Sequence, residues 1–305
     1  VGGTVRDIIL GEKPHDVDIC GNMPLDEVRK MFRTYSLSGD EFGIIGIIVD
    51  NQKFEYAMFR GETYQKIKGV RKTTKNSLLE PYDQNNPDHN DPKKYVIEYE
   101  SSGRRPEKVS FNVDLKTDLS RRDLRINAMG IDKDGNIIDY FDGQRDIKNK
   151  IIRTVGNPYD RFKEDHLRIM RMQRFSSKLG FDIDPDTKKA AKDLAPMIKK
   201  LSAERIREEI FKAASQTGDK FAKYLIGLDE IGVLDIILPE IKNLQGLEHL
   251  EKHHPEGGVW EHTLSALKQN KLIDPLINLS IAIHDIGKGV TKQYKPNGDV
   301  IYKGH

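Results

Sequence analysis

The sequence predicts an α/β first half followed by an all-helical remainder, and three observations carry that prediction. The first half holds a continuous apolar run, Ile44 to Val49, and an alternating stretch, Lys53 to Phe59. A period of two belongs to a half-buried strand, and a short unbroken apolar run to a strand covered on both faces. After Asn157-Pro158 the spacing turns helical, with Phe162, Leu167, Ile169 and Met170, then Lys188 to Ile198 and Ile206 to Ala214, punctuated by Gly180 and Pro196.

Three parts follow from this pattern: an α/β part over 1–150 with an insertion at about 61–99, a helical part over 151–240, and a last part over 241–305. Within the insertion, Glu80 to Glu100 is rich in Pro, Asn and Asp and lacks a period, so it reads as a mobile segment. Ser202, with Glu204 and Glu208 close behind, reads as a helix N-cap followed by acids that suit the positive helix end.

A chain of 305 residues, 37% apolar and 32% charged, can bury a real core in more than one unit. No apolar run approaches the roughly eighteen residues of a membrane-spanning helix, so no membrane partner is expected. The net charge of +2 excludes a polycation and leaves anionic partners to local patches. Arg60 to Lys75 is one such patch, with six cations against the single acid Glu62; a solvated charged loop is the competing reading. A single cysteine, Cys20, points to a reducing, cytoplasmic setting. The start at Val1 without a signal peptide, and the end at Gly304-His305, lead to the expectation that both termini are trimmed.

The first chemical cluster is Gly2-Gly3-Thr4-Val5-Arg6-Asp7, followed by His15-Asp16-Val17-Asp18-Ile19. Paired glycines let backbone approach a phosphate closely, and a helix opening at Thr4 presents free N–H groups to it. Arg6 adds a charge-assisted contact, while Asp7 either orients Arg6 or joins the site. Residues i and i+2 of a strand share a face, so Asp16 and Asp18 are expected side by side with Val17 turned to the core. Two adjacent carboxylates repel unless a cation joins them, and hard oxygen ligands suit Mg²⁺. Glu55, an acid flanked by Phe54 and Tyr56, is the third candidate. Three such acids suit two metal ions and an in-line displacement at phosphorus, with Asp16, Asp18 and Glu55 as the catalytic set.

These motifs resemble the class II tRNA nucleotidyltransferase and bacterial poly(A) polymerase superfamily, whose head is similar to that of polymerase β. Gly2-Gly3, Val5-Arg6-Asp7 and the Asp16/Asp18 pair look like its first motif. Asp118 to Ala128 resembles its second, with Arg122, Asp123 and Asn127 matching and Leu124 and Arg125 standing where the family has Phe and Thr. The resemblance implies contacts of this element with ribose and phosphates. Asp139 to Arg153 looks like the hinge element, its turn supplied by Gly143. Arg161 to Arg171 resembles the base-reading motif, which implies nucleotide contacts for Glu164, Asp165, Arg168 and Arg171. On one helix Asp165 and Arg168 stand one turn apart, and a carboxylate with a guanidinium favours the edges of C and A. Ser202 to Ile206 resembles the last neck element. Glu100 to Pro106, ahead of Val109-Ser110-Phe111, resembles the flexible loop of enzymes that add the terminal A.

The C-terminal segment resembles an HD phosphohydrolase domain, a helical fold present here in part. His262, His284 and Asp285 match its metal ligands, with His305 a possible fourth, which implies a second divalent-metal site. Taken together, the resemblance implies template-independent addition of CCA to the tRNA 3′ end from CTP and ATP, with two Mg²⁺ ions. The competing expectations are a poly(A) polymerase, an A-adding enzyme, or an HD hydrolase carrying an inert head.

Overall fold

A computed structural model describes residues 1–14, 16–37, 43–64, 66–73, 78–81, 83, 86–90, 94–100, 106, 108–111, 113–248, 257–296 and 300–304. Two compact units divide the chain, one of residues 1–147 and 155–165, the other of 148–154 and 166–305. His305, and Arg104 and Arg105 within the expected loop Glu100 to Pro106, lie outside the described residues.

The first unit opens with α1 (Gly3–Ile9), β1 (Asp18–Gly21), α2 (Leu25–Met31), β2 (Arg33–Tyr35), β3 (Ile44–Val49) and β4 (Gln52–Met58). Their strands form one sheet in the order β1-β4-β3-β2. The β1·β4 pair is parallel and the other two are antiparallel. The expected strands at Ile44 and Lys53 are thus β3 and β4. Asp50 and Asn51 join them, both at positive φ (48° and 62°), as a two-residue hairpin of the primed type requires. One face buries Val28 of α2 against Ile45, Ile47 and Tyr56. Gly46 on β3 leaves room for the Tyr35 ring, which a Cβ there would meet at 2.3 Å.

Beyond the sheet come β5 (Arg60–Thr63), β6 (Lys66–Lys72), β7 (Tyr95–Glu100) and β8 (Lys108–Phe111). They pair as nested antiparallel arms, β5 with β8 and β6 with β7. Within the segment read as a mobile insertion, Glu80 to Glu100, residues Tyr95–Glu100 form β7, paired along its length, and Glu80 bridges to Val70 of β6, which is fully buried. Next stand α3 (Leu115–Ser120), β9 (Met129–Ile131) and β10 (Ile137–Asp139), with Leu119, Ala128 and Val155 in a second small core.

At the hinge element the sequence expectation is half right. The turn residue is Asp142 (φ 62°), whereas Gly143 starts α4 (Gly143–Asn149). Gly143 is required by proximity instead, since a Cβ would come 2.4 Å from the Arg125 carbonyl oxygen.

The remaining elements are β11 (Ile151–Ile152), α5 (Pro158–Glu164), α6 (Leu167–Leu179), β12 (Asp182–Ile183), α7 (Pro185–Leu194), α8 (Ala203–Ala214), α9 (Gly218–Glu230), α10 (Leu234–Ile237), α11 (Pro239–Lys242), α12 (Val259–Gln269), α13 (Pro275–Ile283) and α14 (Lys288–Thr291), with the ribbon β13 (Lys292–Tyr294) and β14 (Val300–Tyr302). Gly180 ends α6 in the left-handed conformation and Ser202 occupies the N-cap of α8. The core of the second unit is apolar: Ile169, Met170, Phe221, Tyr224 and Leu225 are fully buried. No helix among the described residues is long and apolar enough to cross a membrane.

Candidate active site

The site starts at Gly2, whose φ of 71° an L side chain rarely adopts. Its N–H donates to the Met129 carbonyl at 3.0 Å. A Cβ on Gly2 would come 2.4 Å from Arg122 Nη1, so this glycine supplies both a dihedral and the space that Arg122 occupies. Arg122 in turn donates to the Asn127 carbonyl at 3.3 Å and to Asp118 at 3.4 Å.

Arg6 is 4% exposed and does not face outward. Its Nη1 donates to Asn127 Oδ1 at 2.6 Å, and its Nε and Nη2 donate to Asp7 Oδ1 at 2.8 and 2.6 Å. Of the two roles open to Asp7, orienting Arg6 is the one this geometry contains. Arg6 therefore braces the first motif against the second. Asp123 is buried, with Oδ1 accepting the Leu124 N–H at 2.9 Å.

Asp18 begins β1 and stands in register with Glu55 on the parallel strand β4. Asp16 lies in the bend before the strand, so the expectation that both aspartates share one strand holds only for Asp18. Val17 is not in the core as expected: it is 42% exposed and lies just before β1. The Thr4 hydroxyl fastens α1 to this bend, donating to the Asp16 carbonyl at 3.0 Å and accepting from the Asp18 N–H at 3.3 Å. Partial burial, then the charges of Asp18 and Asp16, push the Glu55 carboxyl above its ordinary value. Carboxylates that repel one another in this way are donors whose repulsion a divalent cation such as Mg²⁺ would relieve, but the oxygens of Asp16, Asp18 and Glu55 do not gather into a group of three within ligand distance of one another.

The expected base-reading motif is built differently from its reading as one helix. Glu164 ends α5, paired to Arg161 at 3.0 Å. Asp165 is extended, at φ −148° and ψ 110°, and a new helix starts at Leu167. Asp165 closes the first unit, whereas Arg168, buried, and Arg171, over the Phe175 ring at 5.7 Å, belong to α6 in the second. One-turn spacing on a single helix face therefore does not describe Asp165 and Arg168.

In the second unit, His262, His284 and Asp285 offer ligand atoms all within 4.8 Å of one another, the only such group among the described residues. The His284 Nδ1 lies 2.7 Å from the Ile281 carbonyl, leaving Nε2 toward Asp285 at 3.2 Å. Lys288 donates to Asp285 Oδ2 at 2.7 Å. Burial alone would raise the Asp285 carboxyl, but the Lys288 hydrogen bond and the neighbouring charges hold it below its ordinary value.

The poly(A) polymerase head-domain model matches residues 1–153, half of the chain, and covers every residue of the glycine turn, the carboxylates and the second motif. The chain belongs to the poly(A) polymerase head-domain family. Residues 180–245 match a second model, described as a probable RNA and SrmB-binding site of polymerase A. A CCA-adding enzyme of Enterococcus faecalis is 36% identical over 235 residues, 77% of this chain and 46% of that protein. The crystal structure of the Bacillus stearothermophilus CCA-adding enzyme in complex with CTP superposes with a TM-score of 0.62 at 30% identity, over 80% of this chain and 51% of that one. A tRNA nucleotidyltransferase complexed with a primer tRNA and an incoming ATP analog gives a TM-score of 0.59 at 26% identity, over 93% and 71%. The chain spans about half the length of the curated relatives it matches.

As a member of this family, the head also contains residues that sequence reasoning passed over. Glu62 and Asp118, both nearly fully buried as side chains, gather Arg60, Arg121 and Arg122. The only clue was Glu62 standing alone among cations.

Proposed function

We propose that this chain adds C and A nucleotides from CTP and ATP to the 3′ end of tRNA, as a tRNA nucleotidyltransferase releasing pyrophosphate. The observation that carries the reading is the register of Asp18 opposite Glu55 beside a glycine turn that houses Arg122. Asp16 and Asp18 would hold Mg²⁺, two ions in all, and Glu55 completes the acidic face. Bound Mg²⁺ supplies charge neutralisation at the transferring phosphorus and at pyrophosphate. Arg122, Asp123 and Asn127 orient ribose and phosphates around Gly2 and Gly3, with Arg6 bracing them. Glu164 and Asp165 of the first unit, and Arg168 and Arg171 of the second, are the residues assigned to base selection. The relatives named for CCA addition, and structures solved with CTP and with primer tRNA, support this reading. His262, His284 and Asp285 would hold a further divalent ion in an HD-like region. The reaction belongs to the cytoplasm, consistent with the single cysteine.

The test is incorporation of each labelled nucleoside triphosphate into tRNA lacking its 3′ CCA, comparing the unmodified chain with the double variant Asp16→Ala, Asp18→Ala. Two C and one A added, and lost in the variant, would establish the reading. Long A tails on any RNA would replace it with poly(A) polymerase activity. Phosphatase activity without incorporation would favour the HD hydrolase.

A further inference from the structure

The arginines that follow α3 are held from within their own motif by Asp118 and from outside it by Glu62. Arg121 Nη1 lies 2.9 Å from Glu62 Oε1, while its Nε and Nη2 reach Asp118 Oδ1 at 3.0 and 2.8 Å. Asp118 Oδ2 also takes Arg122 Nη2, and its Oδ1 accepts the Arg60 backbone N–H at 3.2 Å. Glu62 completes the set: Arg60 Nε stands 2.9 Å from its Oε1, and the Tyr64 hydroxyl donates to its Oε2 at 2.6 Å. Three guanidinium groups thus share two carboxylates whose side chains are only 5% and 2% exposed. Arg60 feels the repulsion: burial first, then the Arg121 charge, lower its affinity for a proton.

We infer that Glu62 is a positioning residue for nucleotide binding, holding Arg121 directly and Arg122 through the shared Asp118, so that the β5·β8 ribbon sets the position of Arg122, the arginine assigned above to the ribose and phosphates. The inference rests on the nucleotidyl-transfer reading and deepens it. A buried acid between two guanidinium groups is costly to remove, because the cations it separated are left facing each other. Once Glu62 is neutral, Arg121 turns away from Arg60, Asp118 follows it, and Arg122 loses its seat beside Gly2. The damage falls on the triphosphate and ribose, which every nucleotide shares, and not on the base.

The experiment measures affinity for CTP and for ATP, and the KM for each and for the RNA end, in the unmodified chain, Glu62→Gln, Glu62→Asp and Tyr64→Phe, with thermal unfolding of each alongside. Glu62→Gln is expected to weaken both nucleotides about ten- to hundredfold, by the same factor, with kcat and the RNA KM nearly unchanged. Glu62→Asp recovers part of the loss. Tyr64→Phe, which deletes one hydroxyl and keeps the acid, weakens both about two- to threefold and decides the matter if Glu62→Gln does not fold. Wild-type affinity in a folded Glu62→Gln, or in Tyr64→Phe when it alone folds, overturns the inference and leaves the nucleotidyl-transfer reading standing. Failure of the unmodified chain to bind either triphosphate overturns both.

Discussion

Asp18 and Glu55 occupy facing positions on the parallel strands β1 and β4, with Asp16 in the bend just ahead. Partial burial and the two aspartates raise the Glu55 carboxyl, so the folded chain holds that proton more tightly than the unfolded chain does. Ionised Glu55 therefore opposes folding at neutral pH, and that opposition fades as pH falls through its raised folded value.

Glu55→Gln is expected to raise the Tm of the metal-free chain at about pH 8 by only a degree or two, because the carboxyl is screened by solvent. The gain shrinks toward about pH 4, where an ordinary glutamate is also protonated. Mg²⁺ raises the Tm of the unmodified chain more than that of the variant. Scanning calorimetry across pH, with and without Mg²⁺, checks all three; a gain that grows on acidification would contradict the assignment.

Gly2→Ala places a Cβ where Arg122 Nη1 lies and forces an alanine to φ 71°. The backbone strain costs about 1–2 kcal/mol, and displacement of Arg122 lowers nucleotide affinity by about tenfold or more. Thermal unfolding and CTP titration separate the two effects.

Asp184 accepts from Arg153 Nε at 2.8 Å and caps α7 through the Thr187 N–H at 3.2 Å. Burial would raise its carboxyl, but these bonds outweigh it and bring the value down. Its contribution is present above the ordinary aspartate value and lost as pH falls through the lowered one. Asp184→Ala is expected to cost about 1–3 kcal/mol at neutral pH. Asp184→Asn keeps the cap, costs less, and converges with the unmodified chain below about pH 4 in urea unfolding.

The group of His262, His284 and Asp285 predicts a divalent-ion site independent of the head. In a chain already carrying Asp16→Ala and Asp18→Ala, Mn²⁺ binding is expected to persist in calorimetric titration. Adding His284→Ala weakens it about ten- to hundredfold. Equal Mn²⁺ affinity with and without His284 would remove the site.

What was legible in the sequence was whatever one element carries alone. The run at Ile44, the alternation at Lys53 and the glycine stop at Gly180 each became the expected element. Asp18 and Glu55 were readable as strand positions because acids beside apolar strand residues have no packing reason to be there, whereas the bend that holds Asp16 was not. The break at Asp165 was not readable, since helical spacing continues across it from Phe162 to Ile169. Val17 looked like core because strand alternation was counted from Asp16, whereas β1 begins only at Asp18. Glu62 escaped because its partner Arg121 is 59 positions away and only the folded chain brings them to 2.9 Å.

The nested arms β5·β8 and β6·β7 have a practical consequence. An antiparallel pair can be extended or trimmed at its far end in paired steps while its root keeps its register. The Val70–Glu80 bridge fixes the near part of the connection, so the stretch between Glu80 and Tyr95 is the place to graft a foreign peptide onto this head while the Arg60–Phe111 pair keeps its register.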